Sequence, residues 1–382
     1  MPREQLLLIP GPTPVHPRVI NSLSLPTVSH VSPVFIEEFN QSLIDLKEIV
    51  NCGRGQAFII SGAGTLAMEM ALVNTVGPGE KILVLSQGYF GRRMREIARS
   101  FGLTCEILES PRGEAVMPFE LEEKMDEGNY AAVVATHVDT ATGACAPIKE
   151  YARVIKGEDT LFIVDGVCAT GGIEEDMDNW GIDVIFTAAQ KCFGVPPGLA
   201  VLVLSEDALE KRRRLGTVPA YYADLMRWLP IMQDPSRYFS TPCVNEIRAF
   251  AEGARLILEE GLEARFQRHK TAAKAIRAAF DRLGFTYLTR DAFLAETLSV
   301  VYFPSGVGGK SLRSELLKRG IVVAGGLGDL ADKVFRMGHM GNLSLSQIYY
   351  ALEAMEDSLK VLGYRFEQGA GIRAAKNILA AG

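Results

Sequence analysis

Paired cysteines are missing from this sequence. Its six cysteines, Cys52, Cys105, Cys145, Cys168, Cys192 and Cys243, stand far apart and form no Cys-x-x-Cys unit. That spacing speaks against a disulfide framework and against structural zinc. The five histidines are equally scattered, without the close pairs that metal ligation uses, so no metal is expected. No apolar run reaches the roughly 18 residues of a membrane span. Basic residues are in deficit: 40 Lys and Arg against 46 Asp and Glu give a net charge of −6. Neither a nucleic-acid footprint nor a polybasic membrane patch follows from that balance. The opening Met1-Pro-Arg-Glu-Gln-Leu-Leu-Leu-Ile9 is too short in apolar residues for a secretory signal, and the expected location is cytoplasmic.

What is present is a chain of 382 residues, 48% hydrophobic and 23% charged, enough for two or three domain-sized units with a sizeable core. From about residue 56 to 205, short β-rich runs alternate with helical stretches. Strands are expected at Ala57–Ser61, Lys81–Ser86, Thr104–Leu108, Ala131–Thr136, Leu161–Asp165 and Ile182–Thr187, with Ala200–Leu204 as one more. Helices are expected at Thr65–Val76, Arg92–Phe101, Pro118–Asp126 and Ile148–Lys156. Near-continuous apolar strands separated by helices predict a mostly parallel sheet covered on both faces. Residues 206–240 read as a long connection with little regular structure. Helices Val244–Glu260 and Leu262–Leu283 follow. A smaller α+β unit then carries strands Thr297–Phe303, Ile321–Ala324 and Val334–Met337, helices Gly309–Arg319 and Ser344–Leu362, and a last helical stretch with Ile372, Ala375 and Ile378.

Three short segments carry chemistry. Ser61-Gly-Ala-Gly-Thr65 joins a strand to a helix, where free N–H groups and the helix dipole suit a phosphate; a tight turn that needs glycine is the plainer reading. The same run matches the G-x-G-x-x-A dinucleotide fingerprint, but the next strand ends Leu83-Val-Leu-Ser-Gln87 without the acid that fingerprint needs. Asp165 closes an apolar strand at the edge where α/β sheets bind ligands, and could equally cap the segment that follows. Lys191, in Gln190-Lys-Cys-Phe-Gly-Val-Pro-Pro-Gly198, sits just past a hydrophobic strand amid small and apolar residues. Such surroundings depress a lysine pKa and suit a Schiff-base amine. A lysine, an aspartate for a pyridinium nitrogen and a glycine phosphate cup together describe a pyridoxal phosphate site.

At these residues the chain resembles the class V aminotransferases of the fold type I pyridoxal-phosphate group, with alanine–glyoxylate and serine–pyruvate aminotransferases nearest. The likeness covers nearly the whole chain. It runs from Ile9-Pro-Gly-Pro-Thr-Pro14 and His30-Val-Ser-Pro33 through Gly88-Tyr-Phe-Gly-Arg92 and His137-Val-Asp-Thr-Ala-Thr-Gly143. It continues to Gln190-Lys191, Ser240-Thr-Pro242, Gly325-Gly-Leu-Gly328 and Phe335-Arg-Met-Gly338. The resemblance implies a large domain over 16–260 with a mostly parallel sheet of the seven-stranded type. It also implies a small α+β domain over 261–382, and residues 1–15 packing near the active site.

Residue by residue, the resemblance implies that Lys191 binds pyridoxal 5'-phosphate and that Asp165 pairs with its ring nitrogen. Val167 and Phe90 would flank the ring, and Thr140 would hydrogen-bond its hydroxyl. Ala63, Gly64, Thr65 and Gln190 would hold the phosphate, with Tyr238 and Thr241 arriving from the partner of a homodimer with shared sites. Arg336 would bind the substrate carboxylate, and Gly11 would lie over the substrate. The activity implied is transamination between alanine or serine and an oxo acid such as glyoxylate or pyruvate. His137 reads as a structural histidine, and the cysteines as small buried hydrophobes.

The alternatives are a pyridoxamine–pyruvate or aminoethylphosphonate aminotransferase, a lyase or desulfurase, and a non-catalytic phosphate-binding module. The pyridoxamine–pyruvate reading expects a glutamate in 61–65 and an extra arginine ahead of Arg336, and the sequence has neither. A desulfurase expects a His-Lys pair where this chain has Gln190-Lys191.

Overall fold

The computed structural model describes residues 5–155 and 159–381. A short strand β1 (Leu6–Leu7) and helices α1 (Pro17–Leu23) and α2 (Pro33–Ile49) open the chain. Then come β2 (Gln56–Ser61), α3 (Gly64–Val73), β3 (Lys81–Ser86), α4 (Tyr89–Ser100), β4 (Thr104–Glu109), α5 (Pro118–Asp126) and β5 (Ala132–Thr136). They are followed by α6 (Ile148–Val154), β6 (Leu161–Asp165), α7 (Met177–Trp180), β7 (Val184–Ala188) and β8 (Leu199–Leu204). The helix expected over Ile148–Lys156 thus ends at Val154, and Lys156 lies outside the described residues.

These strands make one seven-stranded sheet in the order β2-β8-β7-β6-β5-β3-β4. Its β3–β4, β3–β5, β5–β6 and β6–β7 pairs are parallel, while β8 runs antiparallel to both neighbours. The link from β7 to β8 holds no helix, and without a crossover a strand returns antiparallel. Because β8 alone is reversed, the carboxyl ends of β2, β3, β5, β6 and β7 all meet at one edge. Residues of β6, β7 and β8 are buried throughout, as strands covered on both faces must be.

Residues 206–240 depart from expectation. They hold helices α8 (Glu206–Arg214) and α9 (Leu225–Gln233). The Asp224 side chain caps α9 and also takes a 2.6 Å hydrogen bond from buried Arg212. Trp228, 1% exposed, anchors the segment through an Nε1–H bond to the Tyr222 carbonyl. Pro230 inside α9 masks the helical pattern in sequence.

The two long helices follow as α10 (Val244–Glu260) and α11 (Leu262–Arg282). A four-stranded antiparallel sheet, β12-β13-β10-β9, is built from β9 (Thr286–Tyr287), β10 (Leu298–Tyr302), β12 (Ala324–Gly325) and β13 (Val334–Gly338). Helices α12 (Gly309–Lys318), α13 (Leu345–Val361) and α14 (Ala370–Ala381) accompany it. The single strand expected over Ile321–Ala324 is split. Its first half, β11 (Ile321–Val322), pairs with β1, and only Ala324 joins the four-stranded sheet. One hydrophobic cluster runs from Val19 to Ile257, and a second joins Leu8 to residues between Ala272 and Ala375.

Candidate active site

The β2–α3 turn delivers an open helix N-terminus to the shared carboxyl edge. Ala63 is the N-cap of α3, in extended conformation, and offers no side-chain cap. The first N–H groups of the helix are therefore available to an anion. A Cβ at Gly64 would stand 3.1 Å from that of Ala188, so the helix start lies close on the sheet.

Asp165 ends β6 at the same edge and is 3% exposed. Its carboxylate accepts the Val167 N–H at 3.1 Å and the Thr136 hydroxyl at 3.4 Å, and no cation pairs with it among the described residues. Burial pushes its pKa up to about 7. Behind it, His137 meets Glu175 at 2.7 Å. Burial works against the charged imidazole, and Cys145 and the Glu175 carboxylate reverse that and raise its pKa.

Lys191 lies in the β7–β8 link. Its ammonium donates to the Pro10 carbonyl, and a Cβ on Gly11 would stand 2.7 Å from Nζ. Thr13 fastens the N-terminal segment there, its hydroxyl donating to the Lys191 carbonyl at 2.7 Å and its N–H to that of Gln190 at 3.1 Å. Pairing of β1 with β11 is what carries this segment across the edge. From the other side, buried Arg265 of α11 donates to the Cys192 carbonyl at 2.6 Å and to that of Gly171 at 2.7 Å.

Ala63, Gly64, Thr65, Phe90, Thr140, Asp165, Val167, Gln190 and Lys191 line one cavity of about 230 Å³. Met68, Arg93, Val138 and Cys168 complete it, and sequence reasoning singled out none of the four as cavity residues. Cys168 is buried in a hydrophobic cluster, as expected, and also lines this cavity. Arg93 lies over the rings of Tyr89 and Phe90, 4.9 and 5.1 Å from their centroids. Arg336, on β13, donates to the carbonyls of Gly325 (2.7 Å) and Thr140 (3.1 Å). It has no carboxylate partner among the described residues, and burial lowers its pKa.

Tyr238 and Thr241 are exposed, Tyr238 at 67%, and neither lines this cavity within the single chain. His339 is buried against Ser299, 3.0 Å away, and burial lowers its pKa to about 3. Asp139, unremarked within its His137–Gly143 motif, accepts three backbone N–H groups. The Asp-x-x turn signature was the available signal.

The donor set fits a phosphorylated pyridine aldehyde. Among the described residues, the helix start lacks a side-chain cap, the Gln190 Oε1 is buried without a partner, and Asp165 is a buried carboxylate without a cation. Phosphate oxygens accept from the free N–H groups of the helix start and a ring N–H⁺ donates to Asp165, while the Gln190 oxygen, itself an acceptor, calls for a donor. Among the described residues, no group of His, Cys, Asp and Glu is arranged to hold a metal, and no helix is long and apolar enough to cross a membrane.

These features define a cofactor-dependent α/β enzyme. The aminotransferase class-V family model matches residues 18–345. An uncharacterized aminotransferase of Methanocaldococcus jannaschii is 34% identical, over 98% of this chain and 98% of its own length. Alanine–glyoxylate aminotransferase 1 of Saccharomyces cerevisiae is 33% identical, over 88% of this chain and 91% of its own. The crystal structure of ureidoglycine–glyoxylate aminotransferase from Bacillus subtilis superposes with a TM-score of 0.94 at 29% identity, covering 100% of this chain and 99% of that one. The chain belongs to the class-V aminotransferases, with the fold type I architecture, and is a pyridoxal-phosphate-dependent transaminase.

Proposed function

We propose that the protein transfers an amino group from a small amino acid, alanine or serine, to an oxo acid such as glyoxylate or pyruvate. It would do so in the cytoplasm, as a homodimer with shared sites. In this reading 16–260 is the cofactor domain, 261–382 the small domain, and 1–15 a strap over the substrate. Bound pyridoxal phosphate supplies the electron sink that makes an amino acid's Cα proton removable.

Lys191 would hold the cofactor, and its Nζ, once free, would act as the general acid–base that takes the Cα proton of the amino acid and returns it two atoms along, across the nitrogen. Asp165 keeps the ring nitrogen protonated. The α3 N-terminus, through Ala63, Gly64 and Thr65, holds the phosphate together with Gln190, and with Tyr238 and Thr241 of the second protomer. Phe90 and Val167 confine the ring, Thr140 takes its hydroxyl, and Arg336 grips the substrate carboxylate as a planar fork. Gly11 leaves room for the substrate above Lys191.

The observation that carries the reading is a buried, cation-free Asp165 facing the same cavity as Lys191. Borohydride reduction and peptide mapping should place the label on Lys191, and a label on another lysine would refute the assignment. With one family-type carboxylate binder, alanine and serine should bleach the visible absorbance at least about tenfold faster than aspartate or glutamate, since an unpaired buried charge costs several kcal/mol. Faster bleaching by aspartate would mean that Arg93 or Arg92 reaches the substrate. Bleaching by pyridoxamine or aminoethylphosphonate alone would move the protein to a sister activity.

A further inference from the structure

In the large sheet the strand order reverses between β3 and β5, and the loops after those strands part there. Asp139 fills the gap. It is 0% exposed and pairs with no cation among the described residues. Oδ2 accepts the Phe90 N–H at 2.9 Å; Oδ1 accepts the N–H groups of Ala141 at 2.8 Å and Thr142 at 3.1 Å, and the Thr142 hydroxyl at 3.4 Å.

Phe90 lies in the first turn of α4, whose N-cap, Gly88, has no side chain to offer. Asp139 therefore caps that helix from 49 residues away. The turn it closes holds Thr140, whose carbonyl in turn accepts the Arg336 Nη1–H at 3.1 Å. One carboxylate thus joins two residues of the cavity lining, Phe90 and Thr140, and through Thr140 reaches Arg336.

We propose that Asp139 is a positioning residue for transamination: it fixes Phe90 directly and, through the turn at Thr140, aims Arg336 at the substrate carboxylate. The proposal rests on the roles given above to Phe90 and Arg336. A carboxylate is an acceptor at both oxygens, and the Asp139 site uses both. An asparagine would turn an N–H₂ toward one set of N–H donors and leave them unpaired. Crowding offers a second route to the same loss. A Cβ on Gly88 would stand 2.6 Å from Oδ1 of Asp139, so Gly88→Ala displaces the carboxylate without removing its charge.

The experiment compares the parent with Asp139→Asn, Gly88→Ala and, as control, Asp183→Asn. Asp183 is another backbone-bonded carboxylate, accepting the Phe162 N–H at 2.8 Å, but it precedes β7 at the opposite edge of the sheet. Hydrogen exchange on cofactor-free protein and a KM-against-kcat comparison are the readouts. In Asp139→Asn and Gly88→Ala, amides of 88–92 and 139–143 should exchange at least tenfold faster. KM for the amino donor should rise at least tenfold with a smaller fall in kcat. Asp183→Asn should lose stability with KM unchanged.

Unchanged protection of those amides, or a folded variant with parental KM, overturns the proposal. Should Asp139→Asn not fold, Gly88→Ala decides. A parent that reacts with no amino acid would instead sink the functional reading, and exchange would still test the placement of Phe90 and of the turn.

Discussion

The Asp165 carboxylate carries a conflict that the cofactor would resolve. Burial raises its pKa from 3.8 to about 7 in the folded chain. The unfolded chain releases this proton near pH 4, the folded chain only near 7. Between those values the folded state binds more protons, so stability falls as pH rises and levels off above about 7. The shift is worth on the order of 4 kcal/mol. Asp165→Asn has no such charge. In cofactor-free protein, thermal melts should show the variant gaining on the parent from pH 5 to pH 8, while its turnover collapses for want of a partner to the ring nitrogen. A parent and variant with parallel pH profiles would contradict the assigned burial cost. Arg336 obeys a different rule. Its guanidinium is already aimed by two carbonyls, and a lysine ammonium reproduces neither the two bonds nor the bidentate fork. Arg336→Lys should lower kcat/KM for alanine by about 100-fold, roughly 2.7 kcal/mol, with a modest fall in melting temperature from the lost carbonyl bonds.

At the scale of elements, the N-terminal segment matters more than its two-residue strand suggests. Pairing of β1 with β11 and the two Thr13 bonds lay Pro10 and Gly11 on Lys191. Gly11 has φ +98°, a conformation that L side chains resist, and no space for a methyl group beside the lysine. Gly11→Ala should therefore cut turnover at least about tenfold and cost about 1–3 kcal/mol in stability while the far-ultraviolet dichroism stays parental. Parental kinetics in this variant would show that the strap does not control the lysine.

For the whole molecule, exposed Tyr238 and Thr241 matter most. Neither lines the cavity of its own chain, so the phosphate role proposed for them would require a second protomer. Mixing Lys191→Ala protomers with protomers carrying Tyr238→Ala and Thr241→Ala should restore activity. A hybrid dimer has one site with every residue intact, and random pairing makes half of all dimers hybrids. About a quarter of the parental sites should return. No recovery after verified subunit exchange would place these two residues outside the site, and a fully active monomer in sedimentation would end the dimer reading.

Local pattern by itself determined much of this protein. The extents of Pro118–Asp126, Val244–Glu260, Lys81–Ser86 and Leu161–Asp165 follow from apolar spacing and from proline and glycine stops, because those signals act within a few residues. The motif residues around Ala63, Asp165 and Lys191 were readable for the same reason, since each sits at a strand end marked by small residues. Other features needed the tertiary structure. The run Leu199–Leu204 is buried on both faces, so its side-chain pattern carries no sign of its direction; the short link from β7 turns it back, and only the tertiary structure seats it antiparallel between β2 and β7. The break of Ile321–Ala324 between two sheets depends on β1, which lies more than three hundred residues earlier in the chain. Residues 206–240 fold into helices because Arg212 reaches the distant Asn74 and Trp228 is buried in the large core cluster, against the local vote of Pro230. Asp139 and Arg265 matter through backbone groups 49 and 73 residues away. A hydrogen bond across such a distance is set by how the loops converge, and it imprints no periodicity on the sequence around either end.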